Sequence, residues 1–316
     1  MQTIALTLHI PGYDVPSALT LPEGVVAGAV LLVPGSLFCD VDGNFPTWNS
    51  FPRTYAHLAE GLASRGLASL RFAKLGPGSG SLQTDPALAP ESRTWCGRMR
   101  IARAALALMR ETLASLGVAP PRVVLAGHSE GSVVVSVLGA EGVDVDGIVL
   151  LSGPSVGILD IMLEQNSAMA ASDESQDRLR LLEEVIAVIR RGESISDDLK
   201  RRASGPTGAG ALVNFPPDAL RYMRDVDSTD PVAAISNFEK PVLIVQGGAD
   251  DSVRPHHANA LRAGRGSRPT TLAFFPELQH MYKQVPPGTP PADAFGYPGP
   301  TDPRVDEAIA AWVANL

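Results

Sequence analysis

Residues 122–132 read Arg-Val-Val-Leu-Ala-Gly-His-Ser-Glu-Gly-Ser: an apolar strand, then Gly127-His128-Ser129-Glu130-Gly131, then an apolar segment of helical length. A serine on such a tight strand-to-helix turn stands exposed in strained backbone geometry, beside the first free N–H groups of the helix. Glycines two positions to either side are needed because a Cβ there would collide with the adjoining strand or helix. The spacing predicts that Ser129 is a nucleophile and that the chemistry is hydrolysis. Gly153-Pro154-Ser155-Val156-Gly157 repeats the pattern after the apolar Gly147–Leu151. Pro154, with a fixed φ and no N–H, makes a strained serine turn hard to build there.

A serine hydroxyl needs an adjacent base, itself oriented by a third group. Asp250 lies three residues past Gly247, at the end of the apolar run Pro241–Gln246, and His280 follows the run Thr270–Phe274. The order Ser129, Asp250, His280 is one of the three known chain orders of such a triad, and neither protease order. His280 would take the Ser129 proton and return one to the leaving group, while Asp250 would fix the imidazole tautomer. Asp251 is the alternative acid, otherwise a surface or turn-capping carboxylate. His128 and Glu130 are expected to point sideways into packing or hydrogen bonds, with Glu130 also able to line a pocket. His256-His257 open a helix and should face apart, which speaks against a metal pair. His9 and His57 have no partner in a known spacing. Cys39 reads as a pocket wall, and Asp173–Asp177 as a solvated helix start.

These residues need a sheet to position them. Thr3–Ile10 and Ser17–Leu21 are β candidates separated by Pro11-Gly12 and Pro16, and Ala29–Val33 is a wholly apolar strand ending in Pro34-Gly35. A helix over Pro52–Arg65, strand Leu67–Phe72, a long helix over Ser92–Leu116, strand Val123–Ala126, helix Ser132–Leu138 and strand Ile148–Leu151 follow in alternation. Apolar strands alternating with helices predict a mostly parallel sheet covered on both faces. Ser155 would come after six candidate strands and directly against the change of pattern at Gly153, which again favours Ser129. From there to Pro231 no strand is expected. Leu179, Leu182, Ile186 and Ile189 mark one helix face, with helical pieces around Asp197–Ala203 and Pro217–Val226 and a break at Gly205–Gly210. Residues 1–154 and 231–316 thus read as a catalytic core, and 155–230 as an inserted helical lid. A final helix is expected over Val305–Val313, after the Pro-rich stretch 285–303.

With 316 residues the chain can hold one large core plus an insertion. A net charge of −8 excludes a nucleic-acid or anionic-membrane partner, both of which want basic surface. No apolar run approaches the roughly eighteen residues of a membrane span. The two cysteines lack metal spacing, and Met1–Leu6 lacks the basic start of a leader, which reads as a cytoplasmic setting. A chain whose leader had been removed would read the same.

With these motifs the chain, from Ala29 to its C-terminal helix, resembles the α/β-hydrolase superfamily. It is most similar to bacterial serine esterases of the serine-aminopeptidase-like branch. Those carry Gly-Ser-Gly-Pro-x-Asp-x-Asp-Gly-Asn after the third strand. Here Gly35, Ser36, Asp40, Asp42, Gly43 and Asn44 match, while Leu37 and Phe38 replace Gly-Pro. The relatives' Asp-Lys-Arg-Gly becomes Ala73-Lys74-Leu75-Gly76.

The resemblance implies an α/β-hydrolase fold and an oxyanion hole made by the backbone N–H of Glu130 and of Ser36 or Leu37. It also implies cleavage of short- or medium-chain acyl or aryl esters through an acyl-enzyme, without metal or organic cofactor. Phe38, Ile158 and Met162, with Leu37, are candidates for a greasy acyl pocket. An aminopeptidase or amidase would use the same triad plus an acidic anchor, for which Glu164, Asp173 and Glu174 are candidates. An acyl-CoA thioesterase would want the basic Arg190-Arg191 and Lys200-Arg201-Arg202. A hydrolase-like binding protein with an idle triad is the reading from another class. An exposed apolar lid would permit a homodimer, on which the sequence is silent.

Overall fold

A computed structural model of the chain describes residues 1–75, 94–167, 172–205 and 208–316. Gly76, the start of the predicted helix at 92–93, and 206–207 of the glycine break lie outside the described residues.

The chain opens with β1 (Gln2–Ile10), β2 (Tyr13–Leu21) and β3 (Gly28–Val33), then α1 (Thr54–Ala63), β4 (Leu67–Phe72) and α2 (Trp95–Ser115). β5 (Val123–His128), α3 (Glu130–Ala140) and β6 (Gly147–Leu151) come next, then α4 (Ile158–Ser167), α5 (Asp173–Arg191), α6 (Asp197–Arg202), α7 (Ala209–Val213) and α8 (Pro217–Asp227). The last part holds α9 (Pro231–Ser236), β7 (Val242–Gly247), α10 (His256–Gly264), β8 (Thr270–Phe275), α11 (Pro291–Phe295) and α12 (Pro303–Val313).

The strands form one sheet in the order β1-β2-β4-β3-β5-β6-β7-β8. β2 is antiparallel to both β1 and β4, and every later pairing is parallel. β3, β4, β6 and β7 are buried along their whole length, as strands covered on both faces must be. Val30, Leu32, Val124, Ala126, Leu243 and Val245 pack with Leu58 and Leu62 of α1 and with Val305, Ile309 and Val313 of α12. α3, α9 and α10 pack together over β5 to β7.

Pro16 does not separate two strands as expected; it sits inside β2, opposite Thr7. Its carbonyl accepts from Ala73 N (2.9 Å), so its missing donor faces the β4 side, one residue beyond the last β2–β4 pair, Ser17↔Phe72. The β1–β2 ladder loses nothing. Helix α4 had no counterpart in the sequence reading.

The chain divides into two compact units. One carries the sheet, with Cys96–Ser155 and Pro231–Leu316; the other is Val156–Asp230 with Trp95. The second unit has its own core, in which Leu182, Val185, Ile186 and Ile189 of α5 meet Leu159, Leu199 and Leu212. α5 starts at a Ser172–Ser175 capping box with Asp173 and Glu174 in its first turn, and stops at Gly192 in the left-handed conformation, φ 70°. Among the described residues no helix is long and apolar enough to cross a membrane.

Candidate active site

Parallel strands put their carboxyl ends on one edge, where ligands of open α/β sheets bind. β3, β5, β7 and β8 lead there into the segments carrying Ser36, Ser129, Asp250 and His280. Ser129 links β5 to α3 with φ 55° and ψ −123°, outside the regions an L-residue prefers. A Cβ on Gly127 would stand 2.1 Å from Gly131 O, and one on Gly131 would stand 2.3 Å from Val33 O. The close turn therefore requires both glycines. The Ser129 N–H is committed to Leu151 O of β6 (2.8 Å), so Glu130 N is the first amide of the helix start not spent on the sheet. Ser155 has no such geometry: it is not among the residues with positive φ, and its N–H and hydroxyl lie 3.2 and 2.8 Å from His257 Nδ1.

Asp250 and His280 are joined, with His280 Nδ1 2.8 Å from Asp250 Oδ2. The other carboxylate oxygen accepts from Ser252 N and Val253 N at 2.9 and 2.8 Å. Burial pushes the carboxyl up, yet His280, the Val253 N–H and the Ser152 hydroxyl outweigh it and hold Asp250 below the usual carboxylate range. It stays ionised. Gly247 and Gly248 let the histidine loop close on β7, since Cβ atoms there would meet Leu278 O at 2.2 Å and Pro276 O at 2.5 Å. Within that loop Gln279 N donates to Lys283 O (3.1 Å), and Tyr282, at φ 57°, donates its hydroxyl to Ser152 Oγ and Val245 O. Asp251 is exposed and makes no hydrogen bond to His280 among the described residues. Ser129 Oγ makes no hydrogen bond among the described residues; in free enzymes the nucleophile–base bond commonly tightens only with substrate.

The segment after β3 is built by the residues that match the esterase pattern. Asp40 accepts from Asp42 N, Asn44 N and Asn44 Nδ2, Asn44 Oδ1 accepts from Arg53 N, and Asp42 is paired with Arg71 at 2.9 Å. Gly43, at φ 82°, lies against Tyr55. Gly35 stands beside Ser129: a Cβ on Gly35 would be 3.2 Å from that of the serine.

Two networks were not read from the sequence. Gly35 N donates to the Tyr55 hydroxyl (2.9 Å), which lies 3.1 Å from His128 Nδ1, and His128 Nε2 lies 3.0 Å from His280 O. A carbonyl only accepts, so Nε2 carries the proton and Nδ1 takes the tyrosine proton. Burial, then the neighbouring His280, lowers His128 to about 3, so the ring stays neutral. Beneath the same segment, Lys74, Arg98 and Glu130 form a buried charged cluster. Lys74 Nζ reaches Glu130 Oε1 at 2.7 Å and the carbonyls of Gly35 and Ser36 at 3.1 and 2.6 Å. Arg98 donates to Pro34 O and to Gly35 O and lies 3.4 Å from Glu130. Their only signal in the sequence was charge in apolar surroundings.

Of the remaining candidates, Leu37 is half-buried against the sheet core and Phe38 is exposed. Ile158 and Met162 lie on α4, packed on the core of the helical unit. His256 and His257 do not face apart as expected: their rings lie 4.1 Å from each other. Side chains of adjacent helix residues leave the axis about 100° apart, and rotation about χ1 and χ2 brings the two rings back together.

The strand order and the elbow after β5 define an α/β-hydrolase fold. The model of the alpha/beta hydrolase family matches residues 30–301, and the chain belongs to that family. Among solved structures it is similar to carboxyl esterase 2 from the fungus Tuber melanosporum, with TM-score 0.56 and 16% identity over 99% of this chain and 87% of that one. The esterase domain of a Rhodothermus marinus protein gives TM-score 0.53 and 15% identity over 100% and 99%. A proline iminopeptidase from Mycobacterium smegmatis gives 0.54 and 12% over 99% and 98%. Among curated proteins none matches the chain significantly.

Proposed function

We propose that this α/β-hydrolase cleaves carboxylic esters through a Ser129 acyl-enzyme, with Asp250 and His280 completing the triad. The observation that carries the reading is the strained Ser129 turn beside Gly35, on the sheet edge that also bears the buried Asp250–His280 pair. His280 takes the proton as Ser129 Oγ attacks the carbonyl carbon. The oxyanion is met by the N–H of Glu130 and of Ser36 or Leu37. The same proton then goes to the leaving alcohol as its bond to carbon breaks. Water, activated by His280, releases the acid and restores Ser129. Every step uses side chains and amides of the chain itself.

The helical unit is assigned as the lid that shapes substrate access, with Phe38, Ile158 and Met162 as acyl-pocket residues. Esters are favoured over acyl-CoA thioesters because the basic residues that a thioesterase would want are each already in an ion pair. Arg190 meets Asp160 and Asp227, Arg191 meets Glu193, Lys200 meets Asp197, Arg201 meets Asp198 and Arg202 meets Glu184. Labelling by a fluorophosphonate, abolished by Ser129→Ala, tests the nucleophile. A panel of p-nitrophenyl esters, aminoacyl anilides and acyl-CoAs tests the substrate class; anilide turnover equal to ester turnover would replace the esterase reading with an amidase.

A further inference from the structure

The cluster beneath the segment after β3 has a consequence for the reaction. A peptide unit joins the carbonyl of one residue to the N–H of the next. The Gly35 carbonyl shares its unit with Ser36 N–H, and the Ser36 carbonyl shares its unit with Leu37 N–H. Those are the two amides from which the second oxyanion donor, beside that of Glu130, is drawn. Lys74 Nζ holds both carbonyls, at 3.1 and 2.6 Å, and Arg98 Nη2 also reaches the first at 3.2 Å. All three charged residues are buried, Lys74 6%, Arg98 2% and Glu130 3% exposed, so water screens little of this field.

We propose that Lys74 is a positioning residue for the oxyanion hole, orienting and polarising the two peptide units from which its second N–H donor comes. A cation on a carbonyl oxygen draws charge along the amide and makes its N–H a stronger donor, the cooperative effect of hydrogen bonds in series. It also aims both N–H groups before substrate arrives, which is how preorganised dipoles lower a barrier. Glu130 completes the arrangement. Its backbone N–H lies on the anion side of the turn while its carboxylate neutralises Lys74 beneath (2.7 Å), so one residue ties α3 to the loop on β3. The main chain holds Lys74 in place: Cys39 and Lys74 exchange backbone hydrogen bonds at 3.2 and 3.0 Å, a two-residue bridge between the loop and the end of β4.

The inference rests on the ester-hydrolase reading, and its test separates the two. Wild-type protein, Lys74→Met, Lys74→Gln and Lys74→Arg are compared on a p-nitrophenyl ester and for inhibition by an alkyl boronic acid, whose serine adduct carries an anionic oxygen in the hole. Lys74→Met is expected to lower kcat about ten- to a hundredfold with KM within about threefold, and to weaken the boronate by a matching factor. Lys74→Arg should recover most of both. Lys74→Gln, able to donate to one carbonyl without charge, serves if the methionine variant does not fold and should show the same paired loss. A folded Lys74→Met or Lys74→Gln that keeps its kcat and boronate affinity, changing only its melting temperature, would overturn the role of Lys74. A wild-type protein that neither turns over the ester nor labels with fluorophosphonate would instead overturn the hydrolase reading.

Discussion

His128 Nε2 lies 3.0 Å from the main-chain oxygen of His280, and the two rings sit 4.6 Å apart. The residue before the proposed nucleophile thus holds the backbone of the proposed base, and through Tyr55 it also holds Gly35. Three segments distant in sequence are registered by one neutral imidazole.

His128→Phe keeps a ring but leaves the Tyr55 hydroxyl and the His280 carbonyl without that partner, at about 1–3 kcal/mol for each orphaned group. A lower melting temperature and a lower kcat are expected together. Because the folded His128 titrates near 3 against an ordinary 6.5, the unfolded chain binds more protons between those values. Stability should fall as pH drops through that window. Melting curves from pH 4 to 8 should show a flatter acid slope for the variant, and an unchanged slope would contradict the neutral ring.

Asp250→Asn should lower kcat by about 10³- to 10⁴-fold with little change in KM, since the imidazole loses its fixed tautomer. Asp251→Asn should stay within about twofold of wild type. Steady-state kinetics on one ester compares them, and the opposite ranking would move the acid to position 251.

Gly131→Ala forces a Cβ to within 2.3 Å of Val33 O, a backbone atom that cannot step aside. A loss of about 3 kcal/mol or more is expected, seen as reduced soluble yield and a depressed melting temperature. A variant as stable as wild type would mean that the turn is looser than described.

Asp306 of α12 is buried 3.3 Å from Arg65, and burial outweighs that partner, pushing the carboxyl up to about 7. Between its ordinary 3.8 and that value the folded chain binds the extra proton, so stability declines as pH rises. Asp306→Asn should melt higher than wild type at pH 8, by a margin that shrinks towards pH 5. A margin independent of pH would show that ionisation is not the cause.

Burial lowers the Lys74 amine to about 8, with Glu130 raising it, Arg98 lowering it, and the Cys39 thiol also facing it. If its charge supports the oxyanion hole, kcat should decline above about pH 8, and Lys74→Arg should move that decline to higher pH. Identical alkaline limbs in the two proteins would disconnect the amine from the rate.

Much of this was legible in the residues themselves. Apolar runs such as Ala29–Val33 mark strands buried on both faces, and Gly127 and Gly131 mark a turn that excludes side chains. The Asp40–Asn44 pattern was recognisable, and its hydrogen bonds explain why those residue types are needed. What was hidden depends on contacts across the fold. Pro16 looked like a break because local sequence does not say which way a missing N–H points. Helix α4 was missed because Ile158–Ser167 is short and packs on α5 rather than following a clear periodicity of its own. Lys74, Arg98 and Tyr55 gave no sign of their partners, which come from 20 to 73 positions away.

The loop after β3 is gripped by its main-chain oxygens, from below, by a lysine and an arginine that belong to other elements. Side chains at 36–38 contribute nothing to that grip. A change of side chain there, such as Leu-Phe in place of Gly-Pro, can therefore re-upholster the outside of the loop while the carbonyls beneath keep their cations.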